Sequence, residues 1–505
     1  MESLLLISDV HLGSDLNDVG HAIRRSRQVD EDLVHLLDHY RSVAPPGDRW
    51  RLVVAGDFID FVGMAVRAEG ADLETERSDE ERDHGLGNAV DHVRVKLQLV
   101  AERHANVFDA LARFVADGHS LAFVHGNHDI EMHWRAVKED LRALLLARAR
   151  ASQVAPIDGP AFDGRIEFHA WFFHVEGLAY IEHGHQYDAL CASQYVLAPL
   201  SAVDPRRLAR SASDVLLRFV VRPTRGMHEY GHEDHGVSHY LGFAAKLGLR
   251  GLLLLGRRYA GAVRELFRLR REQLSGASSV LRAEHERAMA LLAQTTRIGA
   301  DRMRALAALQ VPRATRTVGG ILATVLLDQL ALGLAAVLGL LVVAVLAVVH
   351  VVQGWWLAPC FVAWFLGRRQ LARHRMVDPE KRMIERAAAL AKLFGAPFVV
   401  MGHTHAPGKR AVNGGRSTYI NLGSWAEEEE GDGWDRSPER YRATRTHLVI
   451  HGGAEGPVAQ LLAWEGQSGP QCFVPHGPAF ARRPRRDRTA VLKRPLETPI
   501  GATDQ

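Results

Sequence analysis

Short apolar runs alternate with helically spaced stretches through the first part of the chain. The runs are Leu4 to Ser8, Leu52 to Ala55 and Leu121 to His125, and the helical patterns lie near residues 28–43, 88–117 and 131–150. That alternation predicts an α/β sheet. Arg165 to Ile181, rich in aromatic and β-branched residues, predicts strands of a hairpin or second sheet, and it leads straight into His183-Gly184-His185. From 190 to 318 the pattern changes to Leu, Ala and Arg at helical spacing, as in Leu252 to Arg271 and Val280 to Leu309, which predicts a helical insertion. Residues 319–366 are almost wholly apolar, with Asp328 their only formal charge. Sheet-like sequence returns at Pro397 to Met401, Ser417 to Leu422 and His447 to His451, and the end from about residue 466, rich in Pro, Gly and Arg, reads as a poorly ordered basic tail. The expected organisation is one domain in two parts, 1–189 and 368–465, interrupted by the insertion 190–318 and an apolar hairpin 319–367, with a tail from 466 to 505.

Length and charge narrow this picture. A chain of 505 residues is too long for one ordinary core, so substantial additions to a catalytic unit are expected. The formal charge of +3 gives no ground for a nucleic-acid footprint, although arginines cluster in the second half. Cys191, Cys360 and Cys472 are far apart, without metal-type spacing, and fit a reducing compartment. Met1-Glu2-Ser3 opens the chain with no basic n-region, so no signal peptide is expected and the catalytic part belongs in the cytoplasm.

Chemistry-bearing residues sit at the ends of the apolar runs. In order they are Asp9-Val10-His11, Gly56-Asp57-Phe58-Ile59-Asp60, Gly126-Asn127-His128-Asp129, His183-Gly184-His185 and Gly402-His403-Thr404-His405. Loops beyond the carboxyl ends of strands form the ligand crevice of an α/β sheet, so side chains remote in sequence can converge there. Asp, Asn and His together offer oxygen and imidazole donors suited to Mn, Fe or Zn; a Mg or Ca site needs no such number of histidines. Each fragment alone is weak, but five in this order, each after an apolar run, are hard to assign to packing. The glycines at 56, 126, 184 and 402 let the backbone turn sharply and bring ligands close.

The order DxH, GDxxD, GNHD, HGH, GHTH resembles the calcineurin-like metallophosphoesterases. The resemblance covers residues 4–185 and 397–424, including Asn421-Leu422-Gly423-Ser424, similar to the NxGS segment that follows the last motif. It implies a four-layer α/β/β/α sandwich and a dinuclear centre, with manganese the first expectation. Asp9, His11 and His405 correspond to ligands of one metal, Asn127, His183 and His403 to ligands of the other, and Asp57 to the bridging carboxylate. Two such metals bind phosphoryl oxygens and offset the charge of the transition state. His128 corresponds to a general acid facing the leaving-group oxygen, oriented by Asp60, a contribution of typically about 10²–10⁴-fold. Asp129 is expected to tie the loop down, and His185 to stand behind the ligands.

The apolar stretch 319–366 would extend about 72 Å as one helix, against a hydrocarbon core of about 30 Å. His183 precedes it and His403 follows it, so the chain must return to its starting side. Arg313 and Arg316 before it and Arg368, Arg369 and Arg373 after it place both ends in the cytoplasm under the positive-inside rule, which predicts a helical hairpin. Its break falls at Gly339, with Asp328 inside the first span, or at Gln353-Gly354, with a short second arm. A re-entrant hairpin and a buried hairpin of a soluble domain are the alternatives, and Trp355, Trp356 and Trp364 suit an interfacial belt. Arg250, Arg257, Arg258, Arg264, Arg268, Arg270 and Arg271 beside Leu252 to Leu255 and Leu266 suit an anionic membrane surface, or an ordinary solvated helix face. His228, His232, His235 and His239 would share one helical face as a polar cluster or a further metal site, though Gly231 and Gly236 weaken a helix there.

A helical insertion between HGx and GHTH, with membrane association, resembles the UDP-2,3-diacylglucosamine hydrolases, which cleave a pyrophosphate in a lipid-linked nucleotide. That family commonly has GNRD where this chain has GNHD, and His128 suits a poorer, alcohol-like leaving group. Three functions follow: a membrane-associated phosphoesterase acting on a lipid-linked or nucleotide substrate, a membrane-tethered phosphatase or phosphodiesterase with a soluble substrate, and a non-catalytic scaffold. A scaffold has no reason to keep the whole ligand set and His128.

Overall fold

Every residue of the first strand is buried, because it has a core on each side. The computed structural model describes residues 3–18, 23–25, 27–43, 45, 49–70, 72–152, 156–224, 237–349, 353–374, 379–426, 428–430, 445–453 and 456–474. In chain order the strands are β1 (Ser3–Ile7), β2 (Ile23–Arg25), β3 (Trp50–Ala55), β4 (Ser120–Val124), β5 (Ile166–His169), β6 (Phe172–Val175), β7 (Ala179–Glu182), β8 (Phe398–Met401), β9 (Gly408–Val412), β10 (Ser417–Asn421), β11 (Glu428–Glu430), β12 (Thr446–Gly453), β13 (Gly456–Trp464) and β14 (Pro470–Cys472). They form a mixed α/β fold with a seven-stranded sheet, β14-β13-β12-β1-β3-β4-β5, a five-stranded sheet, β6-β7-β8-β10-β9, and the small pair β11-β2. Both large sheets are mixed: β1, β3, β4 and β5 run parallel while β12 joins β1 antiparallel, and β8 lies parallel between β7 and β10, with antiparallel β6 and β9 at the edges.

Period-two alternation sorts the side chains between cores. Leu4, Leu6, Val53, Ala55, Ala122 and Val124 of the larger sheet meet Ala179, Ile181, Val400 and Ile420 of the smaller one. The residues between them, Leu5, Ile7, Leu52, Val54, Leu121 and Phe123, face a second core with Leu33, Leu37, Val100, Phe108, Leu111 and Leu141 of the flanking helices. Tyr180, Val399, Met401 and Tyr419 face a third, closed by Met383, Ala387, Leu390 and Phe394 of the helix Pro379–Phe394. The central strands of each sheet therefore carry apolar clusters on both faces.

The helical patterns hold with breaks that their spacing did not show. The stretch 88–117 is two helices, Val90–Arg103 and Ala105–Ala116, divided at His104. The ring of His104 explains the break: Nδ1 donates to Asp30 Oδ2 at 2.6 Å and Nε2 accepts from the Gly13 amide at 3.1 Å, so it ties the loop after β1 to the helix Arg27–Ser42. Val280 to Leu309 likewise divides into Ser278–Thr295 and Ala300–Leu309, with Arg297 (φ 59°) and Gly299 (φ 87°) between them. The start of the insertion departs from expectation: residues 190–211 contain turns and one bridge, Leu200 to Leu208, where Pro199 and Pro205 oppose a helix. The boundary drawn at 466 also moves, since β14 pairs with β13 and joins the larger sheet; residues 475–505 lie outside the described residues. So do His228, His232 and His235, while His239 falls in the helix Val237–Gln273 with its side chain undescribed.

The apolar stretch forms a hairpin of unequal arms, Leu327–Val348 and Leu357–His374, which touch where Gly367 faces Leu332. Gly339 lies inside the first helix, so the break falls at Gln353-Gly354, and Asp328 sits in the first turn of that helix, near its end. The first arm, 22 residues long, has no buried residue, and among the described residues it is the one helix long and apolar enough to cross a membrane. The second arm is apolar from Leu357 to Gly367, about 17 Å, before Arg368 and Arg369. Of the two arms, the first alone among the described residues has the length of a crossing.

The sheet-to-sheet core sets stability. Leu6 is fully buried there, and Leu6→Ala is expected to cost about 2–5 kcal/mol, read as a fall in the midpoint of thermal unfolding. An unchanged midpoint would mean that the sheets do not meet at this residue.

Candidate metal centre

Five strand ends deliver the candidate donors to one place. Asp9 and His11 follow β1, Asp57 and Asp60 follow β3, Asn127 to Asp129 follow β4, His183 and His185 follow β7, and His403 and His405 follow β8. Because β7 and β8 are parallel neighbours, His183 and His403 stand side by side with rings 5.2 Å apart, although the whole insertion separates them along the chain. Asp9, His11, Asp57, His403 and His405 have φ between 51° and 69°, a left-handed backbone rarely adopted by non-glycine residues. Hydrogen bonds hold these turns: the Asp9 carbonyl accepts from the Trp425 and Ala426 amides, the Asp57 carbonyl from Val10 and His11, and the Gly402 amide donates to the His183 carbonyl. At Gly402 a Cβ would lie 1.8 Å from Ser8 Oγ and 2.3 Å from Asp9 Oδ2, so the GHTH turn can approach only as glycine.

The donors are mutually close, and all are buried except His403 and His405, which are partly exposed. Asp9, His11 and His405 form one group, Asp9, Asp57 and His183 another, and His11, Asp57 and His128 a third, each offering atoms within 4.8 Å of one another. His405 Nε2 lies 3.0 Å from Asp9 Oδ1, and His183 Nε2 lies 3.1 Å from Asp57 Oδ2 and 3.2 Å from Asn127 Oδ1. His183 is oriented by its other nitrogen, Nδ1, which donates to the Ala55 carbonyl at 2.9 Å and leaves Nε2 toward the carboxylates. His403 is oriented the other way: Nε2 donates to Asp188 Oδ2 at 3.2 Å, which leaves Nδ1 for a cation.

The charges in this pocket call for a cation. Burial opposes ionisation of Asp9 and Asp57, yet His405 and His183 hold Asp9 below its ordinary range, and His183 and His128 hold Asp57 well below. Burial likewise opposes charge on His183, but Asp57 and Asp9 outweigh it and push that imidazole up to about 9. His11, desolvated and beside His128, is pushed down to about 3 and stays neutral. A proton on His183 is thus held by two anionic carboxylates, and metal binding would exchange it for a stronger positive charge. Carboxylates, a carboxamide oxygen and imidazoles together fit divalent transition metals.

Beside these donors lies a dyad. His128 Nδ1 donates to Asp60 Oδ1 at 2.7 Å, and the His128 amide donates to Asp57 Oδ1 at 2.9 Å. Asp129 turns away from the pocket: Oδ1 accepts from the Gly126 amide at 2.6 Å and Oδ2 from the Phe58 amide at 2.8 Å, which ties the β4 loop to the β3 loop. Burial and the Asp57 charge push its carboxyl up to about 7. His185 is buried behind the donors, its Nε2 at 2.7 Å from the side-chain Nε2 of Gln186. Asn421 donates to the Gly402 carbonyl at 3.1 Å and to Thr404 Oγ1 at 2.8 Å, and Thr404 donates to Glu380 at 2.6 Å, so the turn after β10 and the helix Pro379–Phe394 pin the GHTH loop.

Sequence reasoning missed Asp188, Glu380 and Arg222. Asp188 follows the HGH fragment closely enough to have been suspected. Glu380 and Arg222 carry no motif; only the fold brings them in.

No protein-family model matches the chain, and no curated protein matches it. What the geometry establishes is a set of buried His and Asp groups able to hold metal ions, consistent with a dinuclear site.

Removing the support of His403 tests this arrangement. Asp188→Ala is expected to weaken manganese affinity by about 10–100-fold in calorimetric titration. Unchanged affinity would show that Asp188 does not set the orientation of His403.

Proposed function

We propose that this protein is a dinuclear metal-dependent phosphoesterase of the calcineurin-like type, acting at the cytoplasmic face of a membrane. The observation that carries this reading is the meeting of donors from five chain segments in one buried cluster with a His–Asp dyad at its side. Packing alone gives no reason to bury so much ionisable surface. Asp9, His11 and His405 would hold one cation and Asn127, His183 and His403 the other, with Asp57 shared between them. Manganese, iron and zinc all suit this donor set. Bound there, two such ions supply charge for the phosphoryl oxygens and lower the pKa of the attacking water. The chain's own residues do the rest. Asp60 holds His128 by Nδ1, leaving Nε2 to give its proton to the oxygen of the departing group. Asp129 keeps the loop that carries His128 in register with Asp57.

The exposed helix Leu327–Val348 supports a lipid bilayer as partner. Its length is about 33 Å, against about 30 Å for a hydrocarbon core. Trp355 and Trp356, exposed and stacked at the turn of the hairpin, suit an interfacial position. Leu249, Leu252, Leu253 and Leu254 are exposed beside Arg250 just after the break at Gly248 that divides the helical stretch Val237–Gln273, a combination that favours an anionic surface. A substrate embedded in that surface, such as the lipid-linked nucleotide UDP-2,3-diacylglucosamine, would reach an enzyme so placed. His128 favours the second reading, a tethered phosphodiesterase with an alcohol-like leaving group and a substrate from water.

Detergent-purified protein with Mn²⁺ is expected to hydrolyse bis-p-nitrophenyl phosphate or UDP-2,3-diacylglucosamine, with activity abolished by chelation and by Asp57→Asn. Faster turnover of the lipid supports the first reading, and cleavage of the diester alone supports the second. The phosphoesterase reading is overturned if neither is cleaved in a metal-dependent way. Separately, the protein is expected to float with phosphatidylcholine–phosphatidylglycerol vesicles. Aspartates at Leu334, Leu338 and Leu341, each more than half exposed, should leave it in the aqueous fraction. Wild type that does not float removes the membrane from the proposal.

A further inference from the structure

The inserted segment reaches the catalytic dyad through one buried arginine. Arg222 caps a π-helical turn, Leu217–Val221, its amide bonded to the Leu217 carbonyl at 2.9 Å. Its guanidinium is 2 % exposed and makes two bonds into the catalytic domain: Nη2 donates to Asp60 Oδ2 at 2.9 Å and Nη1 to the Ser14 carbonyl at 2.8 Å. Asp60 gives its other oxygen to His128 and to the Gly63 amide, which donates at 2.7 Å. Gly63 leaves room for this assembly, since a Cβ there would lie 1.9 Å from Asp60 Oδ2 and 2.5 Å from Arg222 Nη2.

The same turn is anchored twice more. Arg218 donates to the Gly85 and Leu86 carbonyls at 2.9 and 3.2 Å and to Glu80 at 3.0 Å, fixing the turn to the loop and helix ahead of Val90. On its other side Val215, Phe219 and Val220 pack with Ala262, Leu266, Leu269, Ile321 and Val325. Val325 lies just before the exposed helix Leu327–Val348, and its carbonyl accepts from the Tyr259 hydroxyl. A contiguous packed path therefore runs from the base of the apolar hairpin through the π-turn to Arg222, Asp60 and His128. π-turns of this kind are frequent at functional sites.

Resting on the phosphoesterase reading, we propose that Arg222 is a positioning residue for His128, so that the insertion completes the proton-donating half of the site. Asp60 has two oxygens, and with one fixed by Arg222 the other is held where it sets the plane of the His128 ring. A carboxylate without the guanidinium can rotate, and the ring with it. The requirement is selective: a leaving group that departs unaided does not need His128, whereas a poor one does.

The test uses the full chain with Arg222→Met and Arg222→Lys, each first shown to keep the wild-type melting temperature. Turnover is measured on phosphodiesters whose leaving groups run from p-nitrophenol to phenol. Arg222→Met is expected to lose at least about tenfold more in kcat on the phenyl ester than on the p-nitrophenyl ester, with KM little changed, and Arg222→Lys to recover part of the difference. In the metal-free protein the downfield Nδ1–H resonance of His128, assigned by its absence in His128→Asn, should broaden away in Arg222→Met and persist in Arg222→Lys. Equal losses on both esters with an unchanged resonance overturn the proposal. Wild type that cleaves neither ester overturns the phosphoesterase reading instead, and the resonance then decides alone whether Arg222 positions His128.

Discussion

Two carboxylates, Asp9 and Asp57, are ionised in a place where water does not reach them, and much of the molecule answers that one constraint. A buried anion is tolerated only when donors and opposite charge surround it. Asp57 has the His128 amide and the His183 ring, and Asp9 has the His403 amide and the His405 ring. To aim these groups inward, residues on three of the surrounding turns adopt left-handed backbone, an unfavourable conformation that persists because neighbouring amides and carbonyls bind it from outside. The imidazoles only partly offset the negative charge, and the raised pKa of His183 is the sign of what is lacking. A site built this way is organised for cations before any arrive.

The sheets exist in the form that such an arrangement needs. Both have parallel strands whose carboxyl ends open on the same crevice, and the central strands of each are packed on both faces, so the ends that carry the donors are held from two sides. Adjacent β7 and β8 supply His183 and His403. Their adjacency rests on hydrogen bonding between strands and is indifferent to the length of chain between them, because the entropy of closing a loop rises only slowly with its length. That is why so large an insertion can be accommodated at this point.

How much of this was legible depended on whether the signal was local. The strand runs ending at Ser8, Ala55 and His125 were legible because strands covered on both faces read as continuous apolar sequence, and the chemistry then stood at their ends. Strands β9, β13 and β14, at or next to a sheet edge, were not, since their partly exposed positions dilute the pattern. Helix breaks at His104 and Gly299 escaped notice because one comes from a tertiary hydrogen bond and the other from two positive φ values, at Arg297 and Gly299. The hairpin's turn was ambiguous between two glycines; Gly339 stays helical because it is flanked by strong helix formers, whereas Gly354 follows a polar residue and precedes two tryptophans. Around the metal centre the donors were legible and most of their supports were not. Asp60 was suspected through the GDxxD spacing, but Arg222 lies in a stretch where arginines recur at helical spacing and nothing distinguishes it from a solvated one.

That difference bears on what the insertion is for. A segment that merely anchored the chain to a surface would need only a covalent connection and an apolar end. This one instead places Arg218 against the Gly85 and Leu86 carbonyls and Arg222 against Asp60, and each guanidinium lost water to get there. Burying two cations is costly unless their partners are well placed, so the docking of the π-turn is specific rather than adhesive. Its apolar face is shared with the foot of the exposed helix. The turn that brings Arg222 to Asp60 therefore shares its apolar packing with the residues at which the exposed helix begins.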